Sequence, residues 1–263
     1  MRHGVPKIAA LGRALNMLEA VIRDGGHSSV AAIARTIDMP VATAHRQVAT
    51  LVEQGYLAVS GVRRHIAGPR LLDMLFKLDQ KQVIASCAAP VLHQLAVECG
   101  LVVQLGTLEN DMVTYRLKAG QGEASLFTRV GMQLEAYCSG LGKVLLAYLP
   151  ENELRAYLGT GPFPPLTAQT ITNPDAIANE LAKVRKQGFA IDQEEVSDGL
   201  VCVAVPIIGP DGRAVVAIST SKPRLASCQF QEMLPALKAA AAEIERRAFG
   251  SWACRDGKIP NFD

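Results

Sequence analysis

The stretch Met39 to Leu57, MPVATAHRQVATLVEQGYL, constrains the fold more than any other part of the chain. Val41, Ala44, Val48, Leu51 and Val52 recur at spacings of three and four, the period of a helix buried along one side. Pro40 suits the first turn, where a missing N–H costs nothing, and Gly55 supplies the stop before a short strand, Tyr56 to Val59. Between the apolar positions stand Thr43, His45, Arg46 and Gln47, hydrogen-bonding side chains near the helix start. A helix that offers donors and acceptors from its first turns fits a DNA major groove.

The flanking residues support that reading. Ala10 to Arg23 spells a helix with Leu11, Leu15, Leu18 and Ile22 on one face, stopped by Gly25-Gly26. Ser28 or Ser29 caps a second helix, Val30 to Thr36, and Ile37-Asp38-Met39 turns the chain into the Pro40 helix. Further on, Gly55 to Val59, a Ser60-Gly61 turn and Val62 to Ala67 make a two-stranded wing with Arg63, Arg64 and His65 as a basic tip. A lone helix would suit a small three-helix core with merely solvated Arg and His. The ordered set with a basic hairpin points to DNA binding. Charge agrees: residues 1–80 carry ten Lys+Arg against six Asp+Glu, and residues 81–263 seventeen against nineteen. A front of about +4 by formal count binds phosphate weakly as one copy, so firm binding calls for a dimer on a two-fold site.

At 263 residues and roughly 150 per domain, about two domains are expected. No apolar run nears the ~18 residues of a membrane span, and the start of the chain lacks a signal-peptide pattern. A cytoplasmic protein with no membrane partner follows. The six cysteines are scattered without any C-x-x-C, which indicates neither a zinc finger nor a disulfide scaffold, and no cofactor is implied. Gly68-Pro69 closes the wing, giving a DNA-binding domain over 1–69 and a linker over 70–84. The linker helix, Arg70 to Leu78, carries the apolar stripe Leu71, Leu72, Leu75, Phe76 and Leu78. That stripe either packs on its own domain or pairs with a second subunit.

Residues 85–263 alternate helices and strands. Helices are read at Ala85–Cys99, Lys143–Leu149 (opened by Gly140-Leu141-Gly142), Ile177–Lys186 and Gln229–Phe249. Strands are read at Leu101–Gly106, Met112–Leu117, Ala124–Val130, Phe189–Asp192, Leu200–Ile208 and Ala214–Ser221. Helices flanking an antiparallel sheet make an α+β sensor-like domain.

The chain resembles the IclR family of bacterial transcription regulators over Leu11 to Arg224. Gly12-Arg13-Ala14-Leu15-Asn16-Met17-Leu18-Glu19 is similar to the family's opening phrase, and Pro40-Val41-Ala42-Thr43-Ala44-His45-Arg46 to its recognition helix, usually P-K-S-T-V-H-R. Gly142 to Pro150 resembles G-K-A-L-L-A-x-L-P, and Gly188 to Glu195 with Gly199 to Pro206 resembles the C-terminal signature. The resemblance implies an α+β chain: an N-terminal winged helix-turn-helix joined by a linker helix to a GAF-like α/β effector-binding domain over 85–263. It implies a double-stranded DNA operator, a small organic acid effector, aromatic acids included, and a homodimer or dimer-of-dimers tetramer. The DNA contacts expected are Arg13 and Ser29 on phosphates, Pro40, Val41, Thr43, His45 and Arg46 at the groove, and Arg63 and Arg64 on the wing. Val41 and Ala42 depart from the family's Lys and Ser, which predicts altered specificity, since Val41 still suits a thymine methyl.

The same resemblance implies an effector held by backbone amides at Gly140 and Leu141, by Asp192 and Cys202, and by the hydroxyls of Ser219 and Ser221. Physical chemistry agrees, because a helix start binds anions and period two puts both serines on one strand face. Met132, Leu134 and Leu146 are the nearest apolar candidates for walls. Taken singly, each polar residue has an ordinary alternative: Cys202 a buried thiol, Asp192 a turn cap, the serines a strand end. Two other classes compete. A Cys-dependent enzyme using Cys202 and Asp192 lacks an activating base, the sole histidine beyond the DNA-binding part being His93. A metal sensor on the same pair lacks a third ligand at readable spacing.

Overall fold

In the computed structural model the described residues are 8–120, 126–223 and 230–250. They form two compact units, one running to Asp79 and the other starting at Gln80.

The first unit comprises α1 (Ala9–Asp24), α2 (Val30–Thr36), α3 (Val41–Glu53), the hairpin β1 (Leu57–Val59) and β2 (His65–Ala67), and α4 (Pro69–Lys77). Ser29 is the N-cap of α2, its Oγ accepting the Ala32 N–H at 3.3 Å. Pro40 stands one position earlier than expected, as the N-cap of α3. The core joins Met17 and Val21 of α1 to Ile33, Ala44, Val48 and Leu57. The leucine face of α1 is divided: Leu18 packs against that core, while Leu11 and Leu15 are 57% and 49% exposed. No residue of α4 is buried, and Phe76 is 90% exposed. Within one chain, therefore, the linker stripe does not pack on its own domain.

The second unit is built on a six-stranded antiparallel sheet of order β5-β4-β3-β8-β7-β6. Its strands are β3 (Val102–Glu109), β4 (Met112–Ala119), β5 (Gln133–Glu135), β6 (Ala190–Gln193), β7 (Leu200–Ile208) and β8 (Ala214–Pro223). Helices α5 (Gln80–Cys99) and α9 (Phe230–Phe249) cover one face, burying Leu92, Leu95 and Leu237 against Val103, Val205 and Ile218. Helix α6 (Gly140–Ala147) covers the other, backed by α7 (Glu151–Leu158) and α8 (Pro174–Gln187) through Leu145, Tyr157 and Leu181. The one helix not anticipated among the described residues is α7, which spans only eight residues, most of them exposed, and turns just Leu154, Tyr157 and Leu158 toward the core.

Two sequence expectations need correction. The helix read from Ala85 starts at Gln80, so residues 80–84 extend α5 rather than the linker. The strand read at 124–130 is absent over 126–130, Ala124 and Ser125 lying outside the described residues. The carbonyls of Leu126 and Thr128 are taken by the Lys118 ammonium, at 3.2 and 2.6 Å, instead of by a strand ladder. The edge partner of β4 is β5, with Val113 opposite Leu134.

Candidate functional site

Strand register assembles the second unit's polar face. Asp192 lies opposite Cys202, Cys202 opposite Ser221, and Ser219 opposite both Ala204 and Gln104. Directly paired residues share a face, so side chains distant in sequence form one patch beneath α6. The helix arrives over it start first, with Ser139 as N-cap accepting the Gly142 N–H at 3.2 Å. Between them lies a cavity of about 20 Å³, room for roughly one water. Its polar lining is Gln104, Thr128, Ser139, Asp192, Cys202, Ser219 and Ser221, and Tyr115, Leu126, Phe127, Leu134, Leu141 and Val196 supply most of its apolar wall.

Asp192 does cap a turn, its Oδ1 accepting the N–H groups of Glu195 at 2.8 Å and Val196 at 3.4 Å. Burial nonetheless pushes its carboxyl up to about 7, reinforced by the Glu195 carboxylate, while those N–H groups and Lys143 pull it back. Cys202 Sγ lies 3.2 Å from Ser221 Oγ. Burial, with the Asp192 charge beside it, drives the Cys202 thiol well above its ordinary range and keeps it protonated. Tyr115 is likewise held as a neutral phenol, by burial and by Cys202 and Asp192 nearby. Gln104 Nε2 donates to Thr128 Oγ1, tying residue 128 to the sheet.

Leu134, Gly140, Leu141, Asp192, Cys202, Ser219 and Ser221 all border this cavity, whereas Met132 and Leu146 do not. Leu146 lies six residues beyond Gly140, about 9 Å along α6, and is buried in the core. Met132 packs against that same core. Gln104, Tyr115, Thr128 and Ser139 are additional lining residues. Ser139 was readable as an N-cap before a glycine-led helix, while Gln104 and Tyr115 depend on strand order. Gly142 serves packing at the start of α6. A Cβ on Gly142 would sit 2.2 Å from the Ala136 carbonyl oxygen, so this glycine permits helix–backbone contact and not ligand approach.

In the first unit, α3 buries Ala44 and Val48 and exposes Val41, His45 and Arg46, with Thr43 half-buried. Arg13, Ser29, Pro40, Arg63 and Arg64 are exposed as well. His65 is half-buried at the wing, where burial and the nearby His45 charge hold it below its usual range, favouring the neutral ring. Among the described residues no group of three or more His, Cys, Asp or Glu could hold a metal ion, and no helix is long and apolar enough to cross a membrane.

A winged helix-turn-helix and an antiparallel-sheet domain enclosing a polar cavity define a DNA-binding regulator with an effector domain. The chain belongs to the IclR family: residues 10–61 match the IclR helix-turn-helix domain and residues 76–246 the bacterial transcriptional regulator IclR C-terminal domain. It is similar to the Pca regulon regulatory protein of Pseudomonas putida, 29% identical over 248 residues, 92% of this chain and 85% of that protein. Among solved structures it resembles Thermotoga maritima IclR, at 30% identity and TM-score 0.60, covering 92% of this chain and 99% of that one. It also resembles an IclR homologue from Microbacterium hydrocarbonoxydans complexed with 4-hydroxybenzoate, at 25% identity and TM-score 0.61, covering 92% and 100%.

Proposed function

We propose that this regulator reads a palindromic operator in the cytoplasm as a homodimer, or as a dimer pair, and that a small organic acid bound in the α6 cavity controls it. The observation that carries the effector assignment is the row Asp192–Cys202–Ser221, with Ser219 beside it, beneath the start of α6. In this reading the acid's carboxylate rests on the Gly140 and Leu141 amides and accepts from Ser219 and Ser221. Asp192 and Cys202 meet its far side, and because an ionised Asp192 would repel an anion, it faces a hydroxyl or binds protonated. The 4-hydroxybenzoate in the Microbacterium homologue supports the class, carrying a carboxylate and a hydroxyl at opposite ends. A cavity of about 20 Å³ does not hold such a ring, so entry displaces the Leu126 and Phe127 side chains.

Binding rather than catalysis fits Cys202, which is held as a thiol where a nucleophile needs a thiolate. His93 offers no base to it, since α5 covers the opposite face of the sheet. A metal sensor finds no third ligand beside Asp192 and Cys202 among the described residues.

The test is a thermal-shift screen of carboxylic acids that includes 4-hydroxybenzoate, followed by calorimetry on Ser219→Ala and Ser221→Ala. Each substitution should cost on the order of 1–3 kcal/mol of effector affinity, the loss of a partner to a charged group. Operator affinity without effector should stay unchanged. Unaltered effector affinity in both variants would put the ligand elsewhere.

A further inference from the structure

The geometry points to Lys143 and Glu195 as positioning residues of the effector site: their buried ion pair sets the gap between the start of α6 and the Asp192 turn, and with it which acids fit. This inference rests on the effector reading above.

Lys143 lies in the first turn of α6 with its side chain 1% exposed. Its Nζ is ion-paired to Glu195 Oε1, donates to the Ile191 carbonyl at 3.2 Å, and lies 3.9 Å from Glu180 Oε1. Stability alone is a poor account of this arrangement. An ammonium near a helix N-terminus opposes the helix dipole, and a buried ion pair gains little over an apolar pair of similar size.

What the pair joins is more telling. Glu195 belongs to the turn between β6 and β7, a segment that reaches the cavity through Asp192 of β6, Val196 of the turn and Leu200 at the start of β7, whereas the start of α6 reaches it through its N-cap Ser139, Gly140 and Leu141. The turn is fastened elsewhere too. Thr167 and Thr170 hydroxyls donate to the carbonyls of Glu194 and Glu195, each at 2.7 Å, and Glu194 Oε2 accepts the Gly199 N–H at 2.9 Å. Lys143 is thus a side-chain tie between the two walls. Its charge also acts on Asp192, which is faced in addition by Glu195, Cys202, Tyr115 and Cys138.

The experiment compares full-length wild type, K143M and the double variant K143M/E195M, with 4-hydroxybenzoate as probe. The double variant, its pair replaced by apolar side chains of similar length, should unfold at nearly the wild-type temperature yet bind at least tenfold more weakly. Without ligand, amide exchange at position 195 and at Val196 should quicken at least tenfold in it. K143M alone should move the pH midpoint of probe affinity upward, because a positive charge near Asp192 is lost. A merely structural pair would lower unfolding temperature and affinity together. Should the double variant not fold, E195Q, which keeps the hydrogen bond to Lys143, should retain affinity while E195A loses it tenfold. Wild-type affinity and exchange in the double variant, or equal affinities of E195Q and E195A, overturn the inference. If wild type binds none of the acids screened, the effector reading falls, and amide exchange alone still decides whether the pair holds the turn.

Discussion

Asp192 sits opposite Cys202 at the cavity, and its Oδ1 is committed to the N–H groups of Glu195 and Val196. Its remaining oxygen meets whatever enters, in a site where burial lifts the carboxyl from an unfolded value of about 4 to about 7. The sign follows. Folding takes up this proton between those values, so the neutral group's contribution to stability is full below about pH 4 and lost as pH rises to about 7. An anionic effector should bind up to about tenfold more tightly at pH 6 than at pH 8, and Asp192→Asn should flatten that dependence. Calorimetry at both pH values checks it, and a flat wild-type profile would rule out effector binding through a protonated Asp192. At this scale the family resemblance pointed to Asp192, Cys202, Ser219 and Ser221, while strand period by itself placed only the two serines on one face. Gln104 and Tyr115 were not legible, because β3 and β4 reach the site only through the order β4-β3-β8-β7.

Helix α3 buries Ala44 and Val48 of its apolar period and half-buries Leu51 and Val52, while Val41 at its start is exposed together with His45 and Arg46. Arg46→Ala should cost roughly 1–3 kcal/mol of operator affinity and relax one position per half-site if Arg46 reads a guanine. Equal weakening on all DNA sequences, measured by competition binding, would make it a phosphate contact. Helix α6 is governed by its packing. The Cβ of Gly142→Ala would stand 2.2 Å from the Ala136 oxygen and 2.4 Å from its Cα, backbone atoms that cannot swing aside. We expect a loss of about 1–3 kcal/mol in thermal unfolding of the effector domain. Gly140→Ala meets Ala204 and Cys202 at ordinary distances of 3.5 and 3.6 Å and should unfold near the wild-type temperature. The glycine-led start of α6 was legible; its dependence on the Ala136 backbone was not, since the approach of Gly142 to Ala136 depends on how the link between β5 and α6 folds.

For the whole molecule, α1 and α4 leave Leu11, Leu15, Leu72, Leu75 and Phe76 exposed, a large apolar surface for a single chain. In the proposed dimer, a second copy on the α4 stripe would cover Leu72, Leu75 and Phe76 and double a modest positive charge on the operator. The double substitution Leu75→Ser with Phe76→Ser alters no buried residue, so the fold should stand while the assembly dissociates and operator affinity drops. Light scattering that finds wild type monomeric at micromolar concentration, with full operator binding, would overturn the dimer. The sequence by itself determined the winged helix-turn-helix and the alternation of later elements, because capping, period and turn chemistry are local, while resemblance to the family indicated Asp192, Cys202, Ser219 and Ser221. Tertiary structure alone decided which apolar faces are covered, which strand becomes the sheet edge beside β4, and that Leu146 lies in the core instead of at the cavity. Those outcomes depend on competition among distant partners for the same surface, and no local spacing records which partner wins.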